Sequence, residues 1–98
     1  MTAKQIEMAR HALGLPNKKN TTYRNHFCIP PGSEGYEDWE QLVADGMAVK
    51  AIGGAGWSGD FFYLTLTGAK AVLQTKEHLS REDAAKMHGI DVGQRNSA

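Results

Sequence analysis

The amino-acid sequence predicts an α+β domain of three to four helices with a two-stranded β-hairpin, and three observations predict it. Residues 3–13 and 36–45 carry apolar side chains at helical spacing. Two β-prone segments, Met47 to Ile52 and Phe61 to Thr65, alternate at the strand period on either side of the glycine-rich stretch from Gly53 to Asp60. Leu66 to Leu73 then turns helical again. The chain has 98 residues, room for one domain, and a chain of this size buries roughly two thirds of the surface its unfolded state exposes.

The first helix is expected at about residues 3–13. Thr2-Ala3-Lys4-Gln5 has the form of a capping box, in which the Thr2 hydroxyl and the Gln5 amide satisfy orphan backbone groups. Ile6, Ala9 and Leu13 recur on one face, Gly14 supplies a residue that tolerates positive φ, and Pro16 forbids continuation. Asn17 to Thr22 reads as a polar loop. Tyr23 to Ile29 suits an edge strand or an extended segment laid on the core, closed by Pro30-Pro31-Gly32.

Ser33 or Gly35 is expected to cap the central helix, whose apolar face is Tyr36, Trp39, Leu42 and Val43. Asp45-Gly46 ends it, with Met47 making the contact that accompanies such caps. In the hairpin both faces are apolar, so at least one must be covered. Thr65 is placed to cap the last core helix, and Gly68 to let the hairpin backbone approach. A further helix starts at Ser80-Arg81-Glu82-Asp83 and is expected to end at Gly89. The expected organisation is a domain over 1–75, a helical extension over 76–90 and a flexible tail over 91–98.

Composition bounds the function classes. The 41% hydrophobic and 22% charged residues are those of a globular protein, not a disordered one. No apolar run approaches the roughly 20 residues of a membrane span, no secretory h-region follows Met1, and the single Cys28 fits a reducing compartment; a cytoplasmic protein is expected. The net charge is zero, but residues 1–32 balance to +4, residues 33–60 to −5 and residues 61–98 to +1.

The run Leu42-Val43-Ala44-Asp45-Gly46-Met47-Ala48-Val49, a glycine-rich turn, then Phe62-Tyr63-Leu64-Thr65-Leu66-Thr67-Gly68 resembles the hairpin region of many winged-helix proteins, over about a third of the chain. The resemblance implies a winged-helix-like architecture with the hairpin as its wing, in which a second helix belongs where residues 20–32 show none. The wider pattern, including His11 to Leu15, Tyr23 to Phe27 and Trp39, looks like small proteins encoded by bacteriophages and prophages. That implies a phage origin and a bacterial cytoplasm, and no activity.

In winged-helix regulators the helix before the hairpin lies in the DNA major groove, where it needs donors for phosphates and bases. Here that helix offers Glu37, Asp38, Glu40 and Asp45 and no cation. Contact with a protein partner, of the host or of the phage, is therefore the first expectation. Its candidate residues are Glu37, Asp38, Glu40, Trp57 and Asp60, with Trp57 as either an exposed anchor or a cover for the hairpin. The alternative is a DNA-binding regulator using Lys18, Lys19, Arg24 and His26, and a third reading is a virion assembly accessory. No catalytic residue, cofactor, metal or small-molecule substrate is expected. One cysteine and scattered His11, His26, His78 and His88 lack zinc spacing, Cys28 lacks an evident base and orienting group, and Gly53-Gly54-Ala55-Gly56 lacks the Lys-Ser/Thr of a phosphate loop. Arg24 and Asn25 are expected to hydrogen-bond chain ends across the fold.

Overall fold

The structure, a computed structural model, describes residues 1–53 and 58–96, with side chains described through His88. Among the described residues it is an α+β fold of four helices and one three-stranded antiparallel sheet: α1 (Ala3–Ala12), β1 (Phe27–Ile29), α2 (Tyr36–Ala44), β2 (Ala48–Ala51), β3 (Asp60–Leu64), α3 (Leu66–Val72) and α4 (Arg81–Asn96). No helix among the described residues is long and apolar enough to cross a membrane.

Local signals set the helix ends. The Thr2 hydroxyl accepts from Gln5 N at 3.1 Å while Gln5 Oε1 accepts from Thr2 N at 2.9 Å, closing the capping box. Both α1 and α2 end in paired return bonds to a left-handed glycine and its successor. Gly14 N donates to His11 O and Leu15 N to Arg10 O; Gly46 N donates to Val43 O and Met47 N to Leu42 O. The N-cap of α2 is Gly35, at φ +94°, with no side-chain cap, so Glu37 and Asp38 in the first turn complement the positive end of the helix. Thr65 caps α3 by accepting from Gly68 N at 3.0 Å.

The expected hairpin forms, and a third strand joins it. The strand order is β1-β3-β2, with Phe27 opposite Phe62 and Ala48 opposite Leu64. No second helix separates β1 from α2; Pro30 to Gly35 make a turn instead. The inner sheet face is packed against helices by aromatic rings. Trp39, fully buried, stacks on Phe62 at 5.4 Å and lies 5.4 Å from Phe27, while Tyr36 meets Phe62 edge-on. Ala9, Ala12, Leu13, Leu42 and Leu64 complete this core.

The last helix exceeds its expected length: it continues past Gly89 to Asn96, so residues 91–96 belong to it. Its first half is anchored to the body by Met87, fully buried, and by Asp83, whose carboxylate accepts from the Thr22 hydroxyl at 2.6 Å. A second clamp comes from the Arg10 guanidinium, which makes a two-pronged pair with the Glu77 carboxylate (Nη2–Oε2 2.8 Å) and donates to Val72 O. Both side chains are nearly excluded from solvent, 9% and 4% exposed.

Candidate functional site

Two surfaces, on opposite sides of the sheet, carry the functional candidates. On the inner side, the outward turn of α2 presents Glu37, Asp38 and Glu40, with Glu34 just before the helix. Together with Lys4 they shape a shallow depression of about 470 Å³. Lys4 Nζ lies 3.4 Å from both Glu34 Oε1 and Asp38 Oδ2, and Lys50 Nζ lies 3.4 Å from Glu40 Oε2. Glu37 is exposed and has no ion-pair partner among the described residues. The Lys4 ammonium is held above its usual range by its bonds to Glu34 and Asp38, and Lys50 by its bonds to Tyr36 and Glu40.

Asp60 does not join that outward cluster. It starts β3 on the inner face, accepts from the Tyr36 hydroxyl at 2.6 Å and from Gly53 N at 3.2 Å, and so ties the base of the hairpin tip to α2. The Tyr36 bond, then the Gly53 bond, holds the Asp60 carboxyl below the usual carboxylate range, and Asp60 in turn raises the Tyr36 phenol. Trp57 lies outside the described residues.

On the outer side, an open groove of about 920 Å³ runs over the sheet. Its floor is Phe61 and Tyr63, which alternate with the inward Phe62 and Leu64. One wall is the extended segment 22–26 and the other is the first turns of α4, with Ser80, Glu82, Asp83 and Lys86. The extended wall is fixed by backbone accounting. Tyr23 N donates to Leu13 O, His26 N to Ala12 O, and the Arg24 guanidinium to His11 O at 2.7 and 3.2 Å, so this segment covers the open carbonyl end of α1. The Asn25 amide donates to Leu64 O at 3.0 Å and accepts from Leu64 N at 2.8 Å, standing in for one more strand residue at the end of β1. Both residues thus have the structural bonds expected of them.

Arg24 and His26 therefore share the groove, whereas Lys18 and Lys19 are exposed on a loop organised by the Asn17 side chain and do not line it. The groove adds Tyr23, Tyr63 and Lys86 to the residues singled out from the sequence. The alternation of Phe61 and Tyr63 was a signal for the floor; nothing local pointed to α4 as a wall. Cys28 is exposed on the same sheet face, and no cluster of three or more His, Cys, Asp or Glu that could hold a metal occurs among the described residues. No family model, curated protein or solved structure matches the chain.

Proposed function

We propose that this protein is a non-enzymatic binding protein whose α2 face docks a basic surface of a protein partner. The observation that carries the reading is the charge on the exposed start of α2. Four carboxylates, Glu34, Glu37, Asp38 and Glu40, stand against two ammonium groups, Lys4 and Lys50, an excess of two negative charges on one patch. A rigid helix held by Trp39 and Tyr36 in the core presents that patch with little ordering cost on binding. Use of α2 as a major-groove reader is disfavoured by the same charges, which phosphates would repel.

The test is affinity capture from a bacterial lysate with wild type and a Glu37→Arg/Glu34→Arg variant. Any retained protein is then identified, purified and titrated against both forms. Binding of the purified partner that falls at least tenfold in the variant supports the reading. Equal affinity for the two forms, or no protein retained by wild type above background, refutes it.

A further inference from the structure

The outer groove is chemically unlike the α2 patch, and its charges and rings point to a different ligand. Carrying the β1–β3 register back one residue from the Phe27–Phe62 pair places His26 opposite Tyr63, on the same outer face. The carboxylates of the α4 wall are already engaged. Asp83, 8% exposed, accepts from the Thr22 hydroxyl at 2.6 Å, and Glu82 pairs with Lys86 at 3.0 Å. The opposite wall carries one cation, Arg24. Arg24 donates to a neutral carbonyl rather than to a carboxylate, so its charge is not cancelled by an acidic side chain among the described residues, and its guanidinium lies 5.3 Å from the centre of the Tyr23 ring. His26 is exposed beside it.

An aromatic floor beside the Arg24 guanidinium complements a ligand with flat apolar faces strung on an anionic backbone. Phe61 and Tyr63 lie two residues apart on the central strand, about 7 Å along it, a separation suited to unstacked neighbouring bases laid on a sheet. A duplex offers no base faces to such a floor, and an acidic protein segment would use the cations but not the rings. We infer that this groove binds single-stranded nucleic acid, with a base stacked on Tyr63 beside Phe61 and the phosphate backbone along Arg24 and His26.

The test is fluorescence anisotropy with labelled twelve-nucleotide oligo(dT) and oligo(rU), the dA·dT duplex of the same length, and an oligo-glutamate peptide, at 50 and 200 mM salt. Thermal melts establish that each variant is folded. The single strands are expected to bind more tightly than duplex or peptide, and Tyr63→Ala to weaken them about tenfold or more. Tyr63→Phe, which keeps the ring, retains binding, and Glu7→Gln, exposed on α1 and lining neither the groove nor the α2 patch, leaves it unchanged. With one phosphate neutralised by Arg24, the fourfold rise in salt weakens binding roughly two- to threefold. The proposal is overturned if neither oligonucleotide binds at 50 mM salt. It is equally overturned if duplex or peptide binds as tightly as the single strands, or if folded Tyr63→Ala binds like wild type. Because the groove and the α2 patch share no residue, failure here leaves the α2 reading to stand or fall by its own partner.

Discussion

Gly68→Ala measures how closely α3 is docked on the hairpin. A Cβ built at Gly68 would lie 2.0 Å from Met47 O, 2.8 Å from Met47 C and 3.0 Å from Met47 Cα, all backbone atoms that no rotamer change can move. Restoring an ordinary 3.4 Å contact requires α3 to withdraw by 3.4 − 2.0, about 1.4 Å. That displacement breaks the Thr65 N–Met47 O bond, now 3.0 Å, and the Thr65 Oγ1–Gly46 O bond, now 2.9 Å, and loosens Ala69 and Val72 in the core. Two hydrogen bonds at about 1 kcal/mol each and about 2 kcal/mol of overpacking, less about 1 kcal/mol of helix propensity gained by alanine, leave a loss of about 3 kcal/mol. With a urea slope of about 1.5 kcal/mol per molar, the midpoint falls by about 2 M. Urea titration followed by the fluorescence of buried Trp39 reads this directly. Gly46→Ala is the control: nothing lies within 4 Å of its Cβ position, so it carries only the strain of φ +76°, about 1 kcal/mol. If Gly68→Ala is no more destabilising than Gly46→Ala, the close docking of α3 on Met47 is wrong.

Other consequences are as direct. Glu77→Gln leaves the Arg10 guanidinium buried without its counter-charge and is expected to lower stability by about 3 kcal/mol in a chemical melt. Replacing both partners, Arg10→Met with Glu77→Leu, recovers much of that loss, and a double variant as unstable as the single one would count against the pairing. The Glu77 carboxyl is held below its usual range first by Arg10, and Asp60 first by Tyr36. Depressed carboxyls stabilise the fold above their unfolded pKa and lose that contribution as pH falls through the folded value. Stability should therefore be flat from pH 7 to about 5 and decline below about pH 4.5. Glu77→Gln should make that acid limb shallower, and an unchanged limb would argue against the assignment. Asn25→Ala strands both backbone groups of Leu64 and is expected to cost about 2 kcal/mol. The Leu64 amide should then exchange faster with solvent than that of Phe62, and equal protection in variant and wild type would contradict the strand-substitute role.

What was legible in the sequence was local, and what was not required the rest of the chain. The Thr2–Gln5 box, the Asp45-Gly46-Met47 stop and the Thr65 cap are each written within five residues, and each forms. The tight approach at Gly68 was also readable, since a lone glycine near the start of an apolar helix has few other uses there. The two apolar faces of β3 followed from alternation alone. By contrast, Arg10 is an ordinary helix cation until it meets Glu77, 67 residues later. The edge-strand reading of Tyr23 to Ile29 did not reveal that Asn25 would extend the strand with its side chain, because a side-chain amide in place of a ladder residue leaves no periodicity. The end of α4 was misplaced because Gly89 resembles a stop, yet a glycine inside a helix costs only about 1 kcal/mol. Asp60 looked like one more surface carboxylate, but its position at the start of an inward-alternating strand aims it at Tyr36.

The absence of a helix between α1 and β1 is what makes the outer side of the sheet more than a bare face. Had residues 20–26 formed a helix, their N–H groups would have been spent on one another, and the carbonyls at the end of α1 would have needed other donors. Left extended, the segment donates from Tyr23, Arg24 and His26 to those carbonyls, and Asn25 clips it to Leu64. Thr22 is then free to meet the start of α4, whose Ser80 N donates to its hydroxyl at 3.0 Å while that hydroxyl donates to Asp83. One run of five residues thus caps α1, extends β1 and recruits α4 as an opposing wall. Phe61 and Tyr63 face outward through strand alternation alone. They become the floor of a groove, rather than part of an open face, because Thr22 to His26 stand beside them.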